Sequence, residues 1–298
     1  MKIENPLVSI AIATYNGETY ITDQLNSILA QSYQNLEIVI VDDRSTDQTF
    51  QILQNFQKLD HRIRLQQNEH NLGCNVNFNK ALCLSTGDYI AISDQDDIWD
   101  KDKISYMIEI IGDDLMLYHD STFVDANGNL KGKKMSDLHR FVKGNCEAFL
   151  LYQNCVSGHA CLINKALLTY CLPLPQGIYY DWWMAYTAAC LGKLNFTKHA
   201  LVLHRRHSQS TTENDKTDNR RNKRIKNLIL FQNHPLTPSV TKALITKLLS
   251  GYHGLTEESF SLKFFFLLLV NAKKILYIRR RSLFSMVQFL FRESSKHD

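Results

Sequence analysis

Three carboxylates, Asp94, Asp96 and Asp97, crowd the stretch Y-I-A-I-S-D-Q-D-D-I-W at residues 89–99, directly after a short apolar run. Like charges this close repel, so the arrangement is unfavourable unless a cation sits there or a helix N-terminus absorbs the charge. A hard divalent ion such as Mg2+ or Mn2+ takes oxygen ligands and is commonly held by one or two carboxylates plus the phosphates of a substrate. A helix opening near residues 99–101 is the competing explanation, because acids in a first turn complement the dipole. One or two acids would need nothing more. Three of them, with Asp42, Asp43 and Asp47 at the end of a neighbouring apolar run, favour a metal and a phosphate.

The residues that would position such a site follow a regular rhythm. Apolar runs at 8–14, 36–42, 63–67 and 89–93 alternate with amphipathic stretches at 19–31, 46–59 and 76–84. That alternation predicts an α/β fold with a mostly parallel, Rossmann-like sheet covered by helices. Ligands in such sheets bind at the carboxyl ends of the strands. The polar groups found there are Tyr15, Asn16 and Gly17 after the first run, Asp42 and Asp43 after the second, and Asp94 to Asp97 after the fourth. No G-x-x-x-x-G-K-[ST] occurs and no G-x-G-x-x-G follows the first run, so neither a P-loop kinase nor a dehydrogenase is supported. A metal that holds a diphosphate without a P-loop leaves nucleoside-diphosphate leaving groups as the natural substrate class.

Farther along, residues from 115 predict a strand, an Asn-Gly turn and a return strand, and C-V-S-G-H-A-C-L-I at 155–163 predicts another strand. Residues 208–226 contain few apolar side chains and read as a mobile linker. The resulting division is a catalytic domain over 1–207, with a nucleotide-binding half (1–100) and an acceptor half (101–207), then the linker and a helical tail over 227–298. Within that tail, residues 259–292 carry Lys263, Lys273, Lys274, Arg279, Arg280, Arg281 and Arg292 and no acid. Its longest apolar run, residues 264–270, is far short of the ~20 residues of a spanning helix. Such a segment either lies on an anionic membrane surface or packs on the catalytic domain with its arginines in solvent.

At 298 residues, 44% hydrophobic and 21% charged, the composition is that of an ordinary globular protein. A net charge of +4 is too mild to argue for nucleic acid. The seven cysteines form no C-x-x-C pair and have no His at metal spacing, which suggests a reducing compartment. The N-terminus lacks the basic-then-apolar layout of a signal peptide. Together these predict a cytoplasmic location, peripheral at the inner face of the cell membrane.

Several ordered motifs carry a resemblance. V-S-I-A-I-A-T-Y-N-G-E (8–18), I-V-D-D-R-S-T-D (40–47) and G-D-Y-I-A-I-S-D-Q-D-D-I-W (87–99), with Asp102 and Lys103 after it, resemble the consecutive motifs of glycosyltransferase family 2, the inverting transferases of GT-A fold. N-L-G-C-N-V-N-F (71–78), Y-H-D-S-T-F-V-D-A-N-G (118–128) and Y-D-W-W (180–183) are similar to its bacterial rhamnosyltransferase-like branch. The resemblance spans residues 7–207 and leaves the tail outside.

That resemblance implies a role for each matched residue. Ala13, Thr14 and Tyr15 would line the nucleobase pocket, and Asp43 would contact base or ribose. Asp94 would approach the ribose, Asp96 would ligate Mn2+ or Mg2+, and Asp97 would support the loop or face the donor sugar. Asp181 would be the general base, with a helix N-cap as the alternative on local pattern alone. In L-H-R-R-H (203–207), Arg205 would reach the diphosphate and His207 would complete the metal shell, Arg206 reading as a solvated arginine. Trp182, Trp183 and His159 are acceptor candidates, the tryptophans because they offer flat faces to a sugar. Asn16, Glu18 and Asn71 read as structural groups. The implied function is metal-dependent hexosyl or deoxyhexosyl transfer from a nucleotide-diphosphate sugar to a glycan or lipid-linked glycan, as in bacterial surface polysaccharide or lipopolysaccharide assembly. A catalytically inactive nucleotide-sugar or glycan-binding protein of the same fold is the alternative. A nucleotidyltransferase is disfavoured because a Gly-rich, Lys-containing N-terminal loop is absent.

Overall fold

Four apolar runs become the strands β1 (Val8–Thr14), β2 (Leu36–Asp42), β3 (Ile63–Gln67) and β4 (Tyr89–Ser93). β2 is buried along its whole length, as expected of a strand covered on both faces. β3 alternates between buried and open positions because it forms the edge of the sheet. Helices α1 (Ile21–Leu29), α2 (Thr49–Leu59) and α3 (Cys74–Leu84) connect these strands, and all their pairings are parallel. The structure, a computed structural model, describes residues 4–207, 220–255 and 260–295.

The chain continues through β5 (Ile98–Trp99), α4 (Lys103–Ile110), the hairpin β6 (Met116–Val124) and β7 (Leu130–Lys134), and the one-turn helix α5 (Met135–Leu138). Then come β8 (Cys161–Asn164), the short α6 (Leu168–Cys171), α7 (Tyr180–Cys190) and β9 (Leu194–Arg205). One sheet runs β3-β2-β1-β4-β8-β6-β9-β5, with β7 beside β6. β8 is antiparallel to both β4 and β6, and β9 is parallel to β6. β6 and β9 therefore point the same way as β4. The carboxyl ends of β1, β2, β4, β6 and β9 and the amino end of β8 all meet at one edge, which fixes where a site can form.

Three expectations need correction. No helix opens at 99–101: β5 intervenes and α4 begins only at Lys103. The predicted strand at 155–163 exists only from Cys161, because the Asn154 side chain folds back on both backbone groups of Val156 and a 3-10 turn covers Gly158–Ala160. Of the expected linker, residues 208–219 lie outside the described residues, and from Arg220 the chain is already helical, seated by the buried Leu228 and Phe231.

The tail consists of α8 (Arg220–Asn233), α9 (Ser239–His253), α10 (Leu262–Ile275) and α11 (Leu283–Glu293). One core, against α1, α2 and α4, includes Ile10, Ile12, Ile38, Ile40 and Leu53. The other joins Phe78, Tyr118 and Trp183 to Phe231, Leu248, Phe264, Leu268, Ile275 and Leu290, so the tail shares the core of residues 4–207. Among the described residues no helix is long and apolar enough to cross a membrane.

Candidate active site

The loop after β4 answers the question of the three carboxylates with basic side chains supplied by distant segments. Asp97 is fully buried; its Oδ1 accepts the backbone N–H of Arg205 at 3.0 Å and lies 3.1 Å from His204 Nδ1. Its Oδ2 has no hydrogen-bond partner, and His159 Nδ1 stands 3.6 Å away. Burial alone would raise the Asp97 carboxyl, but the imidazoles of His159 and His204 hold it well below the usual carboxylate range. Those rings stack at 4.3 Å, and His159 also lies 3.4 Å from Asp94 Oδ2. Beneath them Lys103 is fully buried over the Trp99 ring and donates to the His159 carbonyl at 2.6 Å. Burial pulls its ammonium down to about 7.

Asp96 faces the other way, and its Oδ2 lies 2.7 Å from His207 Nε2. Burial and the neighbouring carboxylates of Asp97 and Asp94 raise it to about 7, with His207 opposing. A bound cation would relieve that repulsion. The loop is held by Arg205, whose guanidinium lies over the Tyr20 ring and donates to the carbonyls of Asp96 and Ala126 and to Asp23. Arg205, expected at the diphosphate, is thus buried and committed to protein acceptors in this structure.

Among the described residues, two groups could hold a metal. Asp97, His159 and His204 bring three ligand atoms within 4.8 Å of one another, but they are enclosed and sit beside Lys103. The pair Asp96 and His207 offers an oxygen and a nitrogen at a spacing close to the ~3 Å between neighbouring ligands of an octahedral ion with ~2.1 Å bonds. The carboxylate suits Mn2+ or Mg2+, and the imidazole beside it suits Mn2+ better than the oxygen-preferring Mg2+.

The ends of β1 and β2 are laced by side chains. Thr14 donates to Asp42, while Ala13 is half-buried and Tyr15 is exposed at the crevice. The Gln95 amide clasps both backbone groups of Tyr15, at 2.9 and 3.0 Å, and so ties the end of β1 to the carboxylate loop. Asp43, expected on base or ribose, is buried and accepts from Asn68, Leu72 and Gly73. Asp42 accepts from Ser45 and Gln67, and Asp47 accepts from Thr49 at the start of α2. The acids after β2 thus satisfy the hydrogen bonds of their own loops. Asn16 and Glu18 accept backbone N–H groups of Thr46 and Gln48, a structural role as expected, and Asn71 is exposed.

Asp181 stands in the first turn of α7 but does not cap it; the N-cap is Tyr179. Its carboxylate accepts from Asn154, from the N–H of Trp182 at 2.6 Å and from the N–H of Gly158 at 3.2 Å. Burial, aided by the charge of Asp94, lifts it to about 7, where a carboxylate can act as a base near neutrality. Of the acceptor candidates, Trp183 is a core residue, stacked parallel to Phe231 with its N–H on the Cys171 carbonyl. Trp182 is half-buried and donates to Leu150. His159 is buried under the carboxylate loop and so does not face an acceptor.

Sequence reasoning gave no role to Gln95, Lys103, Asn154 or Gly158. Lys103 had a detectable signal, since it shares a helix face with the buried Met107 one turn later. Nor did it connect Asp120 to the site. The Asp120 carboxylate is clamped by Ser136 and accepts the Ser121 N–H, and Ser121 Oγ lies 2.9 Å from His159 Nε2. The register of β6 against β9 slips on both sides of Asp120, an irregularity of the kind that re-aims side chains.

Comparison with known proteins gives a consistent picture. The family model described as Glycosyl transferase family 2 matches residues 9–168, more than half of the chain. A putative teichuronic acid biosynthesis glycosyltransferase, TuaG of Bacillus subtilis, is 45% identical over 106 residues, covering 36% of this chain and 42% of that protein. An uncharacterized glycosyltransferase of Haemophilus influenzae is 31% identical over 223 residues, 70% of this chain and 68% of its own length. S. aureus TarS in complex with UDP-GlcNAc superposes with a TM-score of 0.65 at 22% identity, covering 83% of this chain and 72% of that one. The mannosyltransferase PcManGT of Pyrobaculum calidifontis, in complex with GDP-Man and Mn2+, gives 0.56 at 18% identity over 84% and 72%.

Proposed function

Since the chain belongs to glycosyl transferase family 2, a GT-A fold family, we propose that it is an inverting, metal-dependent transferase that moves a hexosyl or deoxyhexosyl group from a nucleotide-diphosphate sugar to a glycan hydroxyl. The observation that carries this reading is that burial and the charge of Asp94 together raise two carboxyls, Asp96 and Asp181. Asp96, beside His207, sits on the carboxylate loop; Asp181, lifted to about 7, sits on α7 within electrostatic reach of Asp94.

The donor lies over the carboxyl ends of β1, β2 and β4, its base against Ala13, Thr14 and the exposed Tyr15, and its ribose toward Asp94. Asp43 shapes this pocket by fixing residues 68–73. Asp96 and His207 hold Mn2+ or Mg2+, which when bound neutralises charge on the leaving diphosphate. Asp181 removes the acceptor hydroxyl proton as that oxygen bonds to the anomeric carbon and the bond from that carbon to the diphosphate oxygen breaks. Asp97 is the support of the loop, and Trp182 remains the acceptor-side aromatic. Residues 1–207 supply this chemistry. The likeness to a teichuronic acid glycosyltransferase and to TarS supports surface polysaccharide as the product class.

The acceptor in this reading is lipid-linked and is met at the inner face of the cell membrane. What supports this is the outer face of α10 and α11, where Val270, Leu283 and Phe284 are 80%, 74% and 72% exposed among lysines and arginines. Binding of UDP, dTDP, GDP and CMP with and without Mn2+, by the wild type and Asp96→Ala, tests the site. One nucleoside diphosphate should tighten with metal and lose that gain in the variant. Binding of none, or a gain that survives Asp96→Ala, would remove the metal site from the proposal.

A further inference from the structure

Outside the catalytic crevice, the strongest uncommitted chemistry lies on α11. A groove of about 780 Å3 is lined by Arg281, Phe284, Val287, Phe289, Phe291 and Arg292. That is ample room for a ligand of drug size or larger. Three guanidiniums approach the Phe289 ring: Arg281 at 4.5 Å, Arg224 at 5.1 Å and Arg292 at 5.8 Å. Arg224 is paired, 2.5 Å from Glu293, and Glu293 is also bonded to the Tyr252 hydroxyl. The Nε of Arg281, like that of Arg224, is buried with no hydrogen-bond partner. Burial and the crowding of Arg279, Arg224 and Arg292 also pull the Arg281 guanidinium down from its ordinary value.

A crowded, incompletely bonded guanidinium in an apolar groove is short of an anion. Glu293, whose charge also reaches Arg281, is already bonded to Arg224 and Tyr252, and residues 260–292 contain no Asp or Glu. A second copy of the chain would bring the same arginines face to face across a two-fold axis, which like charges oppose. Exposed Leu283, Phe284 and Phe291 around the groove call for an occupant that is both anionic and apolar.

We propose that this groove is a binding site for a single anionic phospholipid, with its phosphate on Arg281 and Arg292 and its acyl chains along Phe284, Val287 and Phe291. This inference rests on the peripheral reading above and narrows it from a charged surface to one site.

The test is co-sedimentation of the full chain with vesicles of phosphatidylcholine alone or with phosphatidylglycerol, using the wild type, Arg281→Gln and Lys263→Gln. Lys263 is exposed on α10 outside the groove, so its substitution reports diffuse attraction. The wild type should bind the phosphatidylglycerol vesicles. Arg281→Gln should weaken that binding about tenfold beyond the loss in Lys263→Gln, because a hydrogen-bonded charge contributes more than a screened one. Wild-type binding weakened equally by the two variants, or untouched by Arg281→Gln, overturns the groove and leaves the peripheral reading standing. No binding of the wild type to either vesicle overturns both. A dimer that strengthens in Arg281→Gln would assign the groove to a second copy instead.

Discussion

At the scale of residues, the site runs on compensated burial. Asp97 is kept charged by two imidazoles and a backbone N–H, whereas Asp96 and Asp181 are lifted to about 7 by burial and by neighbouring carboxylates. For Asp181 this has two consequences of opposite sign. A base must be deprotonated, so turnover should rise with pH through about 7 and then level. Folding runs the other way, because a carboxyl raised from 3.8 to about 7 binds its proton more tightly folded than unfolded. Its contribution to stability is therefore intact below pH ~4 and lost as pH rises toward 7. Asp181→Asn should be more stable than the wild type near pH 8, by up to about 4 kcal/mol less what the amide loses in hydrogen bonds, and the gain should disappear near pH 4. Melting curves at the two pH values check this; a variant less stable at pH 8 would mean that its hydrogen bonds from Asn154, Trp182 and Gly158 outweigh the cost of burying its charge.

At the scale of elements, the tail is support as well as surface. Inner residues of α10 and α11 complete the core, and the segment between them docks on the α5 turn: Arg140 donates to the Ile278 carbonyl, and Arg280 donates through its N–H to Leu138 and through Nε to Ser136. Ser136 in turn clamps Asp120 behind His159. Deleting residues 259–292 would thus strip the core rather than free the enzyme from membranes, so point substitutions are the sounder probe. Leu268 is fully buried and Val270, two residues on, is 80% exposed. Leu268→Ala should cost about 2–5 kcal/mol in denaturant unfolding, and Val270→Ser should change stability by less than about 0.5 kcal/mol. Equal effects would mean that α10 does not pack as described.

At the scale of the whole molecule, what could be read from sequence was what depends on local pattern. The bounds of β1, β2 and β4 follow from mainly apolar runs, those of the edge strand β3 from its alternation, and the hairpin of β6 and β7 from its Asn-Gly turn, because strands and tight turns have short-range signatures. The carboxylate loop was legible for the same reason. Its counter-charges were not. His159, His204 and Lys103 reach Asp97 only because β8, β6 and β9 extend the sheet beyond β4, and that strand order follows from long-range packing. The two tryptophans after Asp181 show the same limit, since helix periodicity alone does not say that both rings lie against Phe231 while only Trp183 is fully in the core.

The central claim is that Asp181 is the base of an inverting transfer. With the sugar donor of whichever nucleoside diphosphate shows metal-linked binding, transfer by the wild type and by Asp181→Asn, with the anomeric configuration of the product read by NMR, tests it most directly. An inverted product and a rate lowered by about 10²- to 10⁴-fold in the variant, at donor affinity within about twofold of wild type, are predicted. A product of retained configuration, or transfer by Asp181→Asn at the wild-type rate, would contradict it.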